Sequence, residues 1–330
     1  MKHRHLFLSL ILTISATTFA QEKTTYPLSE WDCAKCILMH TPGEELFDGV
    51  IHPYAGLFEY YFDVDKAAEE HKGYIDALKR NGIEVYTVRE LLNQTDIEKL
   101  RAHAMNTLTY DTSEIPEATG PDSEEYRKSV INQMSRTDLI RCILLRPTVK
   151  LYDTDNNTGV EAVYTHSPLM NLYFTRDQSI TTPRGHIISK MNSTQRADET
   201  SIIALCYEQL GATPILSITG DSRLEGGDYL RGSTISYIGC GMRTNLEAIK
   251  QRGFTIIPIK LEDELHYANN FLTIAPRHIM AVGNQSAELQ KAFTEHNVKV
   301  EWIPLETLIK GYGAAHCMTQ VIKANTVKKY

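Results

Sequence analysis

The chain has 330 residues, 42% hydrophobic and 23% charged, with 34 Lys and Arg against 41 Asp and Glu, a net charge of −7. That length supports a large core in one domain or two small ones, and the negative balance argues against nucleic acid or anionic lipid as a partner. Past residue 20 no stretch approaches the roughly 20 apolar residues a transmembrane helix needs, so no membrane partner is expected.

Residues 1–20 begin with basic MKHRH, run through apolar LFLSLILTI and close on TTFA before Gln21. These are the three parts of a cleavable secretory signal peptide. Cleavage after Ala20 removes Lys2 and Arg4 and no acid, leaving 32 basic residues against 41 acidic ones, a net −9. The expectation is a secreted or periplasmic protein of residues 21–330, folded as a single catalytic domain. Six cysteines, at 33, 36, 142, 206, 240 and 317, are too thinly spread for a disulfide framework. Cys33 and Cys36 have CxxC spacing, which leaves open a redox dithiol, half a zinc site or a local bridge. With no second CxxC to complete a zinc site, the pair reads as the lip of a first strand running into CILMH.

From Asp63, the residues Val64, Ala67, Ala68, Tyr74, Ile75 and Leu78 recur near helical spacing, and Asn81-Gly82 supplies a left-handed stop. IEVYTV at 83–88 then reads as a strand. Residues 93–147 are helix-prone around a Pro, Gly and Thr-containing break and read as a helical insertion. Three further helix-to-strand units follow: 197–211 into TPILSI, TNLEAIKQRG into FTIIPI, and SAELQKAFTEHN into VKVEWIP. This is an internal repeat of α/β units, a rhythm that also fits an open doubly wound sheet. No GxGxxG or P-loop opens any of these helices, which removes the commonest nucleotide sites.

Four stretches are polar where a core wants apolar residues: NLYFTRDQS with Asn171, Arg176 and Asp177; RLEGGDYL with Glu225 and Asp228; ELHYANNF with His266; and AAHCMTQ with Cys317. A lone cysteine is usually buried filler, and paired glycines after a carboxylate are as well explained by a tight turn as by close approach to a ligand. A Cys with a distant His is the smallest set for covalent catalysis, the thiolate attacking and the imidazole moving protons. Twelve His residues make such a pair inevitable, so it carries weight only in combination.

In combination, SPLMNLYFTRDQS, LEGGDYL, IGCGMRT, the later His and the glycine-rich loop before Cys317 resemble, in order, the arginine deiminase branch of the guanidine-modifying (amidinotransferase or pentein) superfamily. ILMHTPGEEL and AAEEHKGYIDALKRNGIEV are similar to its opening strand and helix, so the resemblance covers nearly all of residues 21–330. It implies a five-bladed α/β propeller around a central pocket, the four counted units plus residues 148–190 making five, with a shortened helical insertion at about 93–147. It implies Cys317 as nucleophile, His266 as general acid and base, and Asp177 and Glu225 as guanidinium-binding carboxylates. Asn171, Arg196 and Arg243 would hold the substrate's α-carboxylate, with Asp228 beside them as a further binding residue.

No metal or organic cofactor is required by such chemistry. The implied partner is a small guanidino amino acid, and a homo-oligomer is left open. The resemblance departs at Ala268, where the family's HLDT-like pattern has an aspartate and this chain reads HYAN. Asn269 or Asn270 is available as a neutral replacement, strand alternation deciding which faces the pocket. A small residue there would also leave space for a substituted nitrogen or suit a neutral ureido group. Hydrolysis of free L-arginine to L-citrulline and ammonia is the first expectation. The alternatives are hydrolysis of a methylated arginine or another guanidino or ureido amino acid, amidino transfer, or a non-catalytic periplasmic amino-acid binder. HCMTQ also resembles agmatine deiminases, but Arg196 and Arg243 would have no carboxylate to bind in agmatine. His316 is left unassigned.

Overall fold

A computed structural model describes residues 29–30, 32–115, 119–156, 158–220, 223–231, 236–238 and 259–325. The signal peptide, Cys240, Arg243 and all but the last residue of the TNLEAIKQRG–FTIIPI unit lie outside the described residues.

Fourteen short strands among the described residues make five separate small sheets, the number the resemblance implies. The first places β1 (Cys33–Met39) between β2 (Glu84–Thr87) and β14 (Gln320–Asn325), so both ends of the described chain close one blade. The second holds β3 (Thr109–Asp111), β4 (Pro147–Asp153) and β5 (Val160–His166), the third β6 (Ser179–Thr182), β7 (Gly185–Ile188) and β8 (Leu216–Ser217). The fourth shows β9 (Tyr229–Arg231) and β10 (Ser236–Ile238), and the fifth β11 (Leu272–Ala275), β12 (His278–Val282) and β13 (Lys299–Ile303). In each three-stranded sheet the middle strand has one parallel and one antiparallel neighbour. A parallel neighbour demands a crossover, and a helix supplies it each time.

The crossover in the first blade is α2 (Val64–Arg80), which follows the short helix α1 (Phe47–Ile51). Asp63 caps α2 by accepting from the Lys66 N–H, Asn81 ends it, and Gly82 takes φ +74°, open to glycine without penalty. Its inner face buries Ala67, His71, Tyr74, Ile75 and Leu78. β1 is buried on both faces, with Ile37 and Met39 in one apolar cluster and Cys36 and Leu38 in another. That alternation makes it the strand around which the site is assembled.

Residues 93–147 are helical as expected, with α3 (Val88–Gln94), α4 (Ile97–Thr107), α5 (Glu124–Gln133) and α6 (Arg136–Leu145). They are not separate from the propeller, however. β3 lies within them and pairs in parallel with β4, Thr109 opposite Thr148, so α5 and α6 form the crossover of the second blade. Residues 148–190 are likewise divided rather than forming one blade: β4 and β5 belong to the second sheet, β6 and β7 to the third. Helices α7 (Glu199–Gln209) and α9 (Ala287–Glu295) cross over in the third and fifth blades, and the one-and-a-half-turn α8 (Leu261–Leu265) precedes β11. Cys33 and Cys36 sit at the start of β1 as free thiols, and burial followed by nearby Glu84 pushes that of Cys36 up to about 12.

Candidate active site

Cys317 lies in the turn between the glycine loop and β14. Glycine is required in that loop: a Cβ on Gly311 would overlap the Tyr173 hydroxyl, and one on Gly313 would overlap the Phe174 ring. The two rings, 4.1 Å apart between centroids, therefore press directly on the backbone leading to the nucleophile. Tyr74 of α2 donates its hydroxyl to the Ala315 carbonyl at 3.0 Å, and Thr175 Oγ1 lies 3.0 Å from both the Leu38 and Met318 carbonyls. α2, β1 and the FTRD turn thus hold the Cys317 loop from three sides.

Cys317 Sγ is half-buried and accepts from Asn270 Nδ2 at 2.9 Å, while Asn270 Oδ1 accepts the backbone N–H groups of His316 and Cys317 at 3.0 and 3.3 Å. Burial and then Asp177 raise the thiol pKa, opposed by Asn270, the Ala314 backbone and Arg176. The sulfur faces a cavity of about 240 Å³ lined by Leu57, Asn171, Phe174, Asp177, Arg196, Gly311 and Tyr312. Tyr312 stands at its edge, 54% exposed, with a left-handed φ of 61°.

Asp177 and Arg196, expected to hold opposite ends of a substrate, are themselves an ion pair, Nη1 to Oδ2 at 2.9 Å. Arg196 Nη2 also meets Glu199 Oε2 at 2.9 Å, one helical turn on. Burial pulls the Arg196 guanidinium pKa down, but Glu199 and Asp177 outweigh it and hold it above its ordinary value. Glu199, fully buried, receives Gln178 Nε2 at 2.6 Å as well. Asn171, 2% exposed, donates to the Gly56 carbonyl at 3.2 Å.

Gly226 and Gly227 do permit close approach, but to protein. The Gly226 N–H donates to the Asp177 carbonyl at 2.9 Å, a Cβ there would penetrate the carbonyls of Arg176 and Ser179, and one on Gly227 would come within 2.7 Å of Asp177 Oδ1. Glu225, half-buried, is the extended residue leading into the turn Gly226–Asp228, its Oε1 accepting the Asn192 N–H at 2.9 Å. Neither Glu225 nor His266 lines the cavity. His266 caps α8 with its imidazole exposed and Nδ1 2.8 Å from the Glu262 carbonyl. A carbonyl only accepts, so Nδ1 carries the proton and Nε2 is the free nitrogen. Asp228 lies in the turn Gly226–Asp228; its side chain and Arg243 are outside what is described.

Ala268, 1% exposed, packs with Ile279, Ala281, Leu289 and Phe293 instead of widening the cavity. Of the two asparagines, it is Asn270 that reaches the sulfur. Sequence reasoning missed Glu199, whose signal was its position three residues after Arg196, and also Leu57 and Tyr312, which carry no chemical signature.

The sequence model described as arginine deiminase matches residues 55–253 and 247–323. The chain belongs to the arginine deiminase family. An arginine deiminase of Halobacterium salinarum is 26% identical over 196 residues, 55% of this chain. The chain spans only 40% of that relative's length. Among solved structures, a dimethylarginine dimethylaminohydrolase adduct with 4-chloro-2-hydroxymethylpyridine shares the fold at a TM-score of 0.51 and 16% identity, over 87% of this chain and 98% of the other. The product-bound N-terminal domain of ArgZ, a cyanobacterial arginine dihydrolase, does so at 0.52 and 16% identity, over 89% and 98%. This arginine deiminase family member thus has the five-bladed pentein propeller.

Proposed function

We propose that this chain hydrolyses a C–N bond in the guanidino group of an arginine-like small molecule, with free L-arginine to L-citrulline and ammonia as its reaction. The observation that carries the reading is Cys317 and Asp177 lining one small cavity, the thiol held by Asn270. Asp177 already accepts a guanidinium, that of Arg196, and a planar substrate guanidinium would compete for the same carboxylate with charge-assisted bonds. Membership of the family supports the same chemistry.

In the empty site burial and Asp177 favour the neutral thiol; a bound cation reverses that balance and favours the thiolate. The thiol passes its proton to His266 Nε2, the thiolate attacks the guanidinium carbon, and His266 Nε2 then delivers that proton to the departing ammonia. The neutral imidazole then takes a proton from water as its oxygen adds to the S-amidino carbon. Collapse expels the thiolate and leaves the ureido product. Because His266 is exposed and outside the cavity lining, this scheme requires α8 and its cap residue to turn inward once substrate is bound. Export behind residues 1–20 is part of the same proposal.

Incubation of residues 21–330 with L-arginine, read by mass spectrometry, is expected to yield citrulline and one ammonia per turnover, and none with Cys317→Ala. Turnover of dimethylarginine with arginine untouched would reassign the substrate. Undiminished turnover by Cys317→Ala would remove the mechanism altogether.

A further inference from the structure

Arg176, next to Asp177, has no task in the scheme above. It is 2% exposed, its Nη1 lies 3.2 Å from Glu30 Oε1, and its Nε and Nη2 are buried without a hydrogen-bond partner. Holding a guanidinium there with two donors unmatched opposes folding, so a merely structural role would be better met by an apolar side chain. Its surroundings point to the nucleophile. The Arg176 N–H donates to the Cys317 carbonyl at 3.2 Å, and its charge acts on the sulfur against that of Asp177. Glu30 reaches the same loop from the other side, with Oε1 2.9 Å from Nε2 of His316, the residue before Cys317. One carboxylate oxygen, Glu30 Oε1, therefore contacts both Arg176 and the residue that precedes the thiol. Among the described residues, Tyr74 of α2, Tyr173 just before the FTRD turn and Tyr267 after α8 also act on Cys317, the pKa of each hydroxyl raised by burial. Among the described charges, Asp177 raises the thiol and Arg176 lowers it, while Arg196 lines the same cavity paired to Asp177 and His316, the adjoining residue, is paired to Glu30.

We propose that Glu30 and Arg176 are positioning residues for Cys317, Arg176 placing a buried positive charge behind the sulfur and Glu30 both mooring it and limiting how much of that charge the sulfur feels. The inference rests on Cys317 as the nucleophile but on no particular substrate. Removing the carboxylate leaves Arg176 uncompensated and favours the thiolate; removing the cation leaves Asp177 unopposed and favours the thiol.

The test is the pH dependence of Cys317 alkylation by iodoacetamide in the full mature chain, with the labelled peptide identified by mass so that the other thiols are not counted. Glu30→Gln should raise the labelling rate at a pH below the wild-type midpoint about three- to tenfold, a downward shift of roughly half to one pH unit. Arg176→Gln should lower it by a similar factor, and Arg176→Lys, which keeps the charge, should recover most of the loss. Glu30→Gln is the decisive variant if Arg176→Gln fails to fold, because Glu30 is partly solvated, its side chain 20% exposed. An unchanged or raised midpoint in folded Glu30→Gln overturns the proposal, whatever the turnover assay shows. A missing turnover of every guanidino substrate, with the midpoint shifting as stated, overturns only the functional reading.

Discussion

Asn270→Ala removes three contacts at once: the 2.9 Å bond to Cys317 Sγ and the acceptor for the backbone N–H groups of His316 and Cys317 at 3.0 and 3.3 Å. Its amide orientation is not in question, because two backbone donors can only face the oxygen and so turn Nδ2 toward the sulfur. A hydrogen bond to an ionised partner contributes about 1.5–3 kcal/mol, and each 1.36 kcal/mol is one pH unit. The alkylation midpoint of Cys317 should therefore rise by about 1–2 units, and kcat/KM at neutral pH should fall roughly 10- to 100-fold. Losing the Oδ1 acceptor of the two backbone N–H groups should cost about 1 kcal/mol of stability for each bond where water does not replace it. Asn270→Asp separates the two effects. It keeps the acceptor for the backbone and sets a carboxylate against the sulfur, so it should fold near wild type yet alkylate with a midpoint at least as high as that of the Ala variant. A folded Asn270→Ala protein with the wild-type midpoint would refute the assignment of Asn270 as the donor that supports the thiolate.

Three other outcomes follow from particular contacts. Asp177→Asn should lower the alkylation midpoint of the free enzyme, because Asp177 raises the thiol, while turnover falls roughly 100-fold through loss of a charge-assisted guanidinium contact; an unchanged or raised midpoint, or turnover that rises with the more acidic thiol, would contradict substrate-assisted ionisation. Gly226→Ala drives a methyl into the carbonyls of Arg176 and Ser179 and should cost about 1–3 kcal/mol together with activity, measured as a lower Tm; an unchanged Tm would mean the 226 and 176 segments do not touch. His71 is fully buried without a partner for either nitrogen, and burial and then His40 push its pKa down to about 3. The unfolded chain binds this proton near pH 6.5 and the folded chain does not, so folding stability falls as the pH drops below about 6.5, by about 2 kcal/mol between pH 7 and pH 5. His71→Leu should lose that much less than wild type over the same interval in denaturant titrations; equal losses would show that His71 is not the acid-sensitive group.

α2 was legible because everything that makes it is local: an Asp63 cap, apolar spacing that matches its buried face, and an Asn81-Gly82 stop. β3 was not, because three residues carry no alternation of their own, and only its pairing with Thr148–Lys150 reveals it. Without β3, residues 93–147 look like an insertion and residues 148–190 like one blade. Within the site, the thiol and Asp177 could be picked out by type, since the chemistry their own atoms perform is the function. Arg176 and Asp177, adjacent in sequence, suggest a pair, yet neighbouring side chains in a turn diverge: Arg176 goes to Glu30 and Asp177 to Arg196. The double glycine announced a close approach without saying to what, and the answer was backbone 176–179. Asn270 marks the limit of reading by residue type. The HYAN stretch offered Asn269 or Asn270 as a neutral stand-in for a carboxylate, but that Asn270 instead supports the cysteine 47 positions on shows only once the loops before β11 and β14 come together.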